Sequence, residues 1–542
     1  MDLNVLIGGK AGAGIKEAGR MLAGVLANLG YHVFGYVDYP SLIRGGHNFV
    51  VLRFSERKVR STDRRADVIV ATDRRSVEAH LKDEKEGTFW IVDERIDKEG
   101  ALKAPFKEVA PGFFKSSSVL GVLLKVLGIP VEEGLPFIEQ LPQREKNLSI
   151  YREAYSSVPA KFEVERIGEI SGAVVTGNEC VALGAVDGGL EFYVAYPMTP
   201  ASPVLHYLAA KQDELGVKVV HPENEIAVVS MAVGIAYAGR RVMVGTSGGG
   251  FALMTETLSL MGMSETPVVL YEAQRAGPST GVPTYTAQSD LLFVLFAGHG
   301  DFPRVVLAPG YPEEAYELTR YALNVAWKFQ VPVIVLGDKH LGESYFTVRL
   351  RRERVVEEPR LWTGEGEFRR YQITEDGVSP LAFPGRRGAV VKATSYEHDE
   401  RGITVEDADS VRRMQEKRLR KWKTLEEDLT AAESSVSVSG REDADTVVLT
   451  YGSTAGAVED VAEEVGYRVV RPLLLEPFPR QKVLEYIAGA QRLVVVEGTA
   501  SGQFEKLLNM HGIRVHDRVR KFDGRPFFRE ELKDLLRGVV HG

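Results

Sequence analysis

Residues 190–210, LEFYVAYPMTPASPVLHYLAA, decide the fold of this chain. The first part is an aromatic and β-branched run that predicts a buried strand, and the last part predicts an apolar helix. Between them lie two hydroxyl-proline pairs, Thr199-Pro200 and Ser202-Pro203. A hydroxyl residue at the N-cap with proline at the first helical position favours helix initiation. The stretch therefore predicts a strand–turn–helix unit in which the Thr199 hydroxyl either caps the helix or contacts a ligand.

The same strand-then-helix pattern recurs through the middle of the chain. Six buried-strand candidates, each followed by a helical or glycine-rich segment, are EFYVAYP, VKVVHPE, RVMVGTS, PVVLYEA, RVVLAPG and VPVIVLGD. Alternating β and α elements predict an α/β fold with several doubly wound, mostly parallel sheets. Ligands bind such sheets at the carboxyl ends of the strands.

A chain of 542 residues is too long for one hydrophobic core. An N-terminal series, LNVLIGG, HVFGYVDYP, ADVIVAT and TFWIVDE, predicts a separate α/β domain over residues 1–160. The six-strand series occupies residues 170–350. Residues 351–444 are loop-rich and then strongly charged, which predicts a solvated connector and helix. DTVVLTYGS, YRVVRPLLLEPFP and QRLVVVEGTASGQ predict a last α/β domain over residues 445–542.

The composition excludes several classes of function. The chain has 67 Lys and Arg against 75 Asp and Glu, a formal net charge of −8, so we expect no nucleic-acid partner. No apolar run approaches the ~20 residues of a membrane span, and no signal segment precedes the first strand, so we expect a cytoplasmic protein without membrane contact. The one cysteine, Cys180, excludes internal disulfides and a self-contained iron–sulfur cluster.

A glycine-rich turn follows the first predicted strand. GGKAGAG, residues 8–14, places Gly9, Gly12 and Gly14 where backbone amides form an anion site. The spacing matches neither G-x-G-x-x-G nor a Walker sequence, so a turn that only packs helix against sheet is an equal alternative. Asp38 ends the second strand, at the position of a ribose-binding acid.

Two stretches place polar side chains beside glycine pairs or strand ends. In YPSLIRGGHNF, residues 39–49, Arg44 and His47 flank two glycines, an arrangement that a plain loop would seldom need. In QRAGPSTGVPT, residues 274–284, Arg275 directly follows a strand, and its planar guanidinium suits a carboxylate. A surface salt bridge is the usual alternative for such an arginine.

Two further segments carry polar groups into predicted helices. HPENEIAVVSMAVGIAYAGRR, residues 221–241, places Glu225 at the start of a helix that is apolar nearly all round, which predicts a buried helix. A carboxylate at this position normally stabilises the helix dipole, whereas one beside a cleft is a candidate acid. GTSGGGFALMTE, residues 245–256, adds the hydroxyls of Thr246 and Ser247 at a second glycine turn.

Together these segments resemble one family. YPMTPAS, ENEIA, TSGGGF and QRAGPSTGVPT, in this order and separation, resemble the α subunit of the 2-oxoacid:ferredoxin oxidoreductases. GGKAGAG and YPSLIRGGHNF resemble the γ domain of that family, and YQITEDGVSP, SYEHDERG, TYGSTAGAV and VVVEGTASGQF also match its pattern. The resemblance covers nearly the whole chain in a fused γ–α order. It implies a γ-type Rossmann-like domain, a thiamine diphosphate pyrimidine-binding-type domain and a transketolase C-terminal-like domain.

The resemblance implies an enzyme that oxidatively decarboxylates a 2-oxoacid, either 2-oxoglutarate or a broad range, to acyl-CoA. Thiamine diphosphate is the implied cofactor, CoA the co-substrate and ferredoxin the electron acceptor. The chain has no GDG segment followed by NN and no cysteine set. The resemblance therefore implies a β subunit that carries the Mg²⁺ motif and the 4Fe–4S clusters, in an αβ or α2β2 complex that is active only when assembled.

The resemblance also implies roles for single residues. Glu225 would activate the cofactor at its aminopyrimidine ring, and Thr199 and Arg275 would face the carboxylate and oxo groups of the substrate. The other implied cofactor contacts are Tyr196, Pro197, Thr246, Ser247 and Gly248. The implied CoA region consists of Gly9, Gly12, Gly14, Arg44 and His47.

Two other functions remain open at this point. One is a non-catalytic regulatory or binding subunit that keeps the fold, although the joint presence of Thr199, Glu225 and Arg275 speaks against it. The other is a nicotinamide-dependent dehydrogenase built on GGKAGAG and Asp38.

Overall fold

The structure of the protein is a computed structural model that describes residues 1–41, 46–108 and 115–540. Three sheets of eight, seven and five strands organise these residues. The strands are β1 (Asp2–Lys10), β2 (His32–Asp38), β3 (His47–Ser55), β4 (Ala66–Ala71), β5 (Glu84–Asp93), β6 (Leu102–Ala104), β7 (Ala173–Val175), β8 (Phe192–Val194), β9 (Lys218–Val220), β10 (Val242–Thr246), β11 (Val269–Gln274), β12 (Val305–Leu307), β13 (Val333–Asp338), β14 (Tyr345–Val348), β15 (Val436–Gly440), β16 (Thr446–Leu449), β17 (Arg468–Pro472), β18 (Leu474–Glu476), β19 (Arg492–Glu497) and β20 (Asp517–Arg520).

Helices cover the faces of the sheets, and none in the described part of the chain is long and apolar enough to cross a bilayer. The helices are α1 (Ile15–Asn28), α2 (Arg74–His80), α3 (Ser116–Val126), α4 (Leu135–Ile138), α5 (Arg144–Ser156), α6 (Gly177–Asp187), α7 (Ser202–Ala210), α8 (Gln212–Leu215), α9 (Glu225–Tyr237), α10 (Gly248–Ser264), α11 (Leu291–Phe296), α12 (Pro312–Phe329), α13 (Lys339–Glu343), α14 (Ala408–Ala431), α15 (Ala455–Val465), α16 (Arg480–Ile487), α17 (Gln503–Met510) and α18 (Arg529–Val540). Short 3₁₀ turns occur at Leu81–Asp83, Val131–Gly134, Glu433–Ser435 and Gly452–Thr454.

The second sheet has the strand order β18-β12-β13-β11-β10-β8-β9 and is parallel except at its β18 edge. All six strands predicted for this region are present. Their sequences are nearly continuous apolar runs because parallel strands are buried on both faces. Residues of α6, α7 and α12 form the core on one face, and residues of α9, α10 and α11 form the core on the other.

The first sheet is mixed, with the order β6-β5-β4-β1-β3-β2-β14-β7. Its β6-β5-β4-β1 half is parallel, whereas β3 pairs antiparallel with both β1 and β2. No strand was predicted for HNFVVLRFS, which follows a glycine pair and forms β3. The edge strand β7 and its neighbour β14 come from the chain segments just before β8 and just after β13.

The third sheet has the order β15-β17-β16-β19-β20 and is parallel except for β15. The three strands predicted from the C-terminal sequence are its centre. The α/β class with mostly parallel second and third sheets is therefore confirmed, and the antiparallel half of the first sheet is the main departure.

The charged helix α14 is not fully solvated, contrary to the prediction. The Lys417 ammonium lies 2.6 Å from Glu265 Oε1, and Lys421 pairs with the other oxygen of the same carboxylate. All three side chains are buried. The charge pattern of a helix indicates solvent exposure only when no buried counter-charge is available, and Glu265 supplies one.

Candidate active site

Three loops that carry predicted site residues lie together at the carboxyl ends of the strands of the second sheet. The YPMTP loop follows β8, the Ser247 turn follows β10, and the Arg275 loop follows β11. β8, β10 and β11 are parallel, so their carboxyl ends lie side by side. The Thr246 hydroxyl lies 4.0 Å from the Met198 sulfur, a contact that joins the first two loops.

The Thr199-Pro200 backbone is held from two sides. Arg275 donates a hydrogen bond from Nη1 to the Thr199 carbonyl oxygen at 2.8 Å, and Asn178 donates from Nδ2 to the Pro200 carbonyl oxygen at 2.9 Å. Helix α7 begins at Ser202 with Ala201 at its N-cap and no side-chain cap. Of the two alternatives for the Thr199 hydroxyl, the helix cap is therefore excluded, since the chain turns for two more residues before the helix starts.

Glu225 is the first residue of α9 and is 4% exposed. Asn224, at the N-cap, accepts a hydrogen bond from the Ala227 amide at 2.9 Å, so the helix start does not depend on the Glu225 carboxylate. Glu225 Oε1 is buried and has no hydrogen-bond partner among the described residues. Buried polar atoms are normally paired, so an unpaired oxygen here indicates a missing donor.

The remaining predicted cofactor contacts divide into a buried and an exposed group. Thr246 and Ser247 are fully buried, and the Ser247 hydroxyl has no hydrogen-bond partner in the described part of the chain. Gly248 opens α10 directly after Ser247. Tyr196 and Pro197 lie on the exposed side of the same site.

Gly250 allows the Glu225 carboxylate and the Thr246 hydroxyl to pack closely against the first turn of α10. A Cβ atom at this position would lie 2.8 Å from Glu225 Oε1 and would overlap Thr246 Oγ1. The unpaired oxygen of Glu225 and the unpaired Ser247 hydroxyl, at the starts of α9 and α10, fit a ligand with hydrogen-bonding groups. The aminopyrimidine ring of thiamine diphosphate is such a ligand, and Glu225 is the acceptor that would hold it.

An apolar surface adjoins Glu225. The prediction that α9 is buried holds for one face only, because Ile226 is 53% and Met231 is 41% exposed. On the neighbouring α10, Leu253 is 49% exposed. An exposed apolar patch beside an incompletely paired polar site is typical of a subunit interface.

The glycine turn and His47 form a second site, on the first sheet. Gly9 lies at the end of β1, Gly12 and Gly14 adopt φ values of 86° and 78°, and α1 begins directly after Gly14. Because β1 and β3 pair, Lys10 lies opposite His47. The structure thus brings together two segments that the sequence analysis identified separately. Arg44, the other predicted residue of this region, lies outside the described residues.

His47 belongs to a hydrogen-bonded chain of side chains. Its Nε2 lies 2.7 Å from His80 Nε2, and His80 Nδ1 lies 2.8 Å from Asp83 Oδ2. Burial, with a further contribution from His80, lowers the pKa of His47 to about 4. The His47 imidazole is therefore neutral at neutral pH, and a hydrogen-bonding rather than a charged role follows.

A cleft of about 540 Å³ extends from His47 toward the third sheet. Its lining contains five basic residues, Arg64, Arg75, Lys82, Lys521 and Arg525, and the carboxylates of Asp38, Asp83 and Asp523. Guanidinium and ammonium groups in this number suit a phosphorylated ligand.

Asp38 lies in the same cleft and is engaged within the protein. It accepts hydrogen bonds from the Tyr36 hydroxyl at 2.8 Å and the Tyr285 hydroxyl at 3.2 Å, and lies 3.4 Å from Arg525 Nε. The structure therefore does not support the interpretation of Asp38 as a free ribose-binding acid. Tyr285 belongs to the loop that follows β11 and begins at Arg275, so one segment connects the two sites.

Three residues near the first site were not predicted from the sequence: Asn178 and Glu272, which are buried, and Asp290, which is partly exposed. Asn178 holds the Pro200 carbonyl, and Glu272 and Asp290 lie behind Arg275. Glu272 could have been identified from the sequence, because it is a carboxylate inside the apolar strand PVVLYEA. Asn178 and Asp290 occupy ordinary helix-start positions, and nothing in the local sequence distinguishes them.

Comparison with known proteins agrees with this arrangement. The family model described as "Pyruvate flavodoxin/ferredoxin oxidoreductase, thiamine diP-bdg" matches residues 183–417, and "Pyruvate ferredoxin/flavodoxin oxidoreductase" matches residues 4–157. A 2-oxoacid:ferredoxin oxidoreductase subunit alpha from Sulfolobus sp is 32% identical, and the alignment covers 100% of this chain and 97% of the relative. A 2-oxoglutarate synthase subunit KorA from Archaeoglobus fulgidus is 33% identical over 61% of this chain and 89% of its own.

A solved structure extends the similarity to the whole fold. The 2-oxoglutarate:ferredoxin oxidoreductase from Magnetococcus marinus, with 2-oxoglutarate, coenzyme A and succinyl-CoA bound, superposes with a TM-score of 0.90 at 29% identity. The match covers 99% of each chain. Fold and site together define an oxidoreductase chain with a thiamine diphosphate-binding α/β domain. The chain belongs to the family of 2-oxoacid:ferredoxin oxidoreductase α subunits.

Proposed function

We propose that this chain forms the substrate-facing side of an active site that a β subunit completes. The complex oxidatively decarboxylates a 2-oxoacid to acyl-CoA and carbon dioxide, and the two electrons released pass to ferredoxin. One observation carries the proposal: Glu225 Oε1 is buried and unpaired beside the exposed apolar face of α9 and α10. Within the described part of this chain, no group donates a hydrogen bond to this oxygen, and no segment covers this apolar face.

Each predicted residue has a distinct task in this proposal. Glu225 accepts a hydrogen bond from the aminopyrimidine ring and exchanges a proton with it. Arg275 binds the 2-oxoacid carboxylate, and the Thr199 hydroxyl orients the oxo group. Bound thiamine diphosphate supplies the electron sink for decarboxylation. The other cofactor contacts are Tyr196, Pro197, Thr246, Ser247 and Gly248.

The cationic cleft of the first sheet is the proposed CoA region. The proposed CoA contacts are His47, which lines the cleft, the glycine turn at Gly9, Gly12 and Gly14, and Arg44, which lies outside the described residues. The basic residues of the cleft suit the phosphates of CoA. The Arg275–Tyr285 segment runs from the substrate site to this cleft, which supports acyl transfer between them.

The β subunit carries the remaining groups in this proposal. It supplies the Mg²⁺ that binds the diphosphate and the 4Fe–4S clusters that reduce ferredoxin, in an αβ or α2β2 complex. We further propose a cytoplasmic location and a division of the chain into residues 1–160, 170–350, 351–444 and 445–542.

Co-expression with the β subunit tests the proposal. The purified complex should be brown and should reduce ferredoxin only when thiamine diphosphate, CoA and a 2-oxoacid are all present. A panel of pyruvate, 2-oxobutyrate and 2-oxoglutarate then identifies the preferred substrate. An assembled, brown complex that reduces no ferredoxin with any 2-oxoacid would contradict it.

A further inference from the structure

Two histidines and an aspartate form a hydrogen-bonded network at the cleft of the first sheet. His47 begins β3, His80 ends α2, and Asp83 ends the 3₁₀ turn that follows α2. His47 Nε2 lies 2.7 Å from His80 Nε2, and His80 Nδ1 lies 2.8 Å from Asp83 Oδ2. His80 and Asp83 are buried, whereas His47 is partly exposed and lines the cleft. The network therefore connects a buried carboxylate to a histidine that a ligand can reach.

The Asp83 carboxylate determines which nitrogens of the two rings carry protons. An ionised carboxylate only accepts hydrogen bonds, so His80 donates from Nδ1 to Asp83 Oδ2. Asp83 Oδ1 also lies 3.3 Å from Arg64 Nε, which already balances the charge of the carboxylate. A cationic His80 would add a buried charge without a counter-charge, so the ring is neutral and its Nε2 has a lone pair. His47 Nε2 must then carry the proton between the two rings.

This assignment makes Nδ1 of His47 a hydrogen-bond acceptor, because burial and the contribution of His80 lower the pKa of His47 to about 4 and keep the ring neutral. Ser76 Oγ lies 3.4 Å from this nitrogen but 2.8 Å from Asp73 Oδ1. The hydroxyl has one proton, and the shorter bond to a carboxylate takes it. Among the described side chains, His47 Nδ1 therefore receives no good hydrogen bond.

Packing holds both rings in these orientations. Phe49 lies edge to face against His80, with 4.8 Å between the ring centroids, and is stacked with His47 at 5.9 Å. On the neighbouring strand β1, a Cβ at Gly8 would lie 3.2 Å from atoms of both imidazoles, so the backbone packs directly against them. The fold itself thus fixes which ring nitrogens face each other.

An acceptor nitrogen at this position indicates the kind of group that it binds. The phosphates of CoA are acceptors at neutral pH, and they suit the five basic residues of the cleft. The lone pair of His47 Nδ1 instead suits an N–H, O–H or S–H group. CoA has such groups in its amides, its hydroxyls and its thiol. His47 therefore suits a proton-donating group of CoA rather than a phosphate.

We propose that His47 accepts a hydrogen bond from CoA at Nδ1, and that His80 and Asp83 are positioning residues that hold His47 in the required tautomer. The proposal rests on the proposed CoA region of this chain. His80 acts by its contact with His47, and Asp83 acts through His80. The hydrogen bond at one ring nitrogen sets the tautomer of an imidazole, so the buried carboxylate controls the nitrogen that faces the ligand.

Asp83→Asn should reverse the tautomers. The asparagine amide can donate to His80 Nδ1, so the His80 proton moves to Nε2 and the His47 proton moves to Nδ1. A donor then replaces the acceptor, and the Kd for CoA should rise about tenfold or more. Isothermal titration of CoA into the assembled complex measures this without turnover. Removal of a negative charge from the cleft would by itself strengthen the binding of an anionic ligand, so weaker binding is the diagnostic result.

His80→Gln interrupts the network between Asp83 and His47. The Kd for CoA should rise several-fold in this variant, and Asp83→Asn should add no further loss in the His80→Gln background. The KM for the 2-oxoacid should keep its wild-type value in all three variants, which a general loss of structure would not allow. Glu78→Gln, at an exposed position of α2, is the matched control and should bind CoA like the wild type.

Desulfo-CoA identifies the group that His47 binds. If the donor is the thiol, Asp83→Asn should leave the affinity for desulfo-CoA unchanged, and if it is an amide or a hydroxyl, the affinity should fall as for CoA.

The remaining outcomes separate two kinds of failure. Unchanged or tighter CoA binding in Asp83→Asn, or additive losses in the double variant, would overturn the positioning role and leave CoA-dependent ferredoxin reduction intact. A wild-type complex that binds no CoA would overturn the CoA region and this proposal with it.

Discussion

Arg275 Nη1 donates a hydrogen bond to the carbonyl oxygen of Thr199 at 2.8 Å, across 76 positions of sequence. The bond joins the loop after β11 to the loop after β8. It uses one edge of the guanidinium and a backbone atom of Thr199, so the Thr199 hydroxyl is left for another partner. An arginine and a hydroxyl on adjoining loops at the carboxyl ends of parallel strands are well placed to act on one substrate.

Replacement of Arg275 by lysine tests the proposed carboxylate contact. Lysine keeps the charge but loses the planar fork, and with it the bond to Thr199. We expect the KM for the 2-oxoacid to rise by about tenfold or more, which corresponds to about 1.4 kcal/mol. Arg240→Lys, an exposed arginine paired with Glu191, is the control and should leave KM unchanged.

Gly250→Ala tests the close packing beside Glu225. The added methyl group would collide with Thr246 Oγ1 and Glu225 Oε1, so thiamine diphosphate binding to the complex should weaken about tenfold or more. Gly249→Ala is a close control, because a Cβ there meets no atom within 4 Å. Isothermal titration with thiamine diphosphate would measure both variants, and equal affinities would contradict the placement of Glu225 at the cofactor site.

The exposed face of α9 predicts a subunit contact. Ile226→Asp places a charge in that face and should weaken association with the β subunit at least about tenfold. Leu419→Asp on α14 is matched, since Leu419 is 55% and Ile226 is 53% exposed. Analytical ultracentrifugation of both variants with the β subunit is the measurement. If the two variants associate equally well, the interface lies elsewhere.

Glu265 should be important for stability. Its carboxylate is fully buried with Lys417 and Lys421, whose charges hold the pKa of Glu265 far below its usual range. Glu265→Gln leaves two buried ammonium groups without a counter-charge and should lower the free energy of unfolding by about 3–5 kcal/mol. Chemical denaturation measures this, and Glu256→Gln, another glutamate of the α10 region, should change stability by less than about 1 kcal/mol.

Much of this architecture follows from local sequence. The buried strands of the second and third sheets are continuous apolar runs, and each precedes a glycine turn or a helix. Glu225 could be identified because it directly precedes an apolar helical run. Arg275 could be identified because it directly follows an apolar strand. β3, whose apolar run follows a glycine pair, was not predicted.

The remaining differences depend on contacts between distant residues. Thr199 does not cap α7, because Arg275 and Asn178 hold the carbonyls of the preceding turn. Lys417 and Lys421 are buried because Glu265 lies opposite them, more than a hundred residues earlier. No local sequence pattern indicates these distant partners.

The Glu225→Gln variant of the assembled complex tests the central claim most directly. Glutamine keeps the shape of the side chain but cannot exchange the proton with the cofactor ring, so ferredoxin reduction should fall by about 100-fold or more. Association with the β subunit and the iron–sulfur absorbance should match the wild type. Full turnover in an intact Glu225→Gln complex would contradict the account.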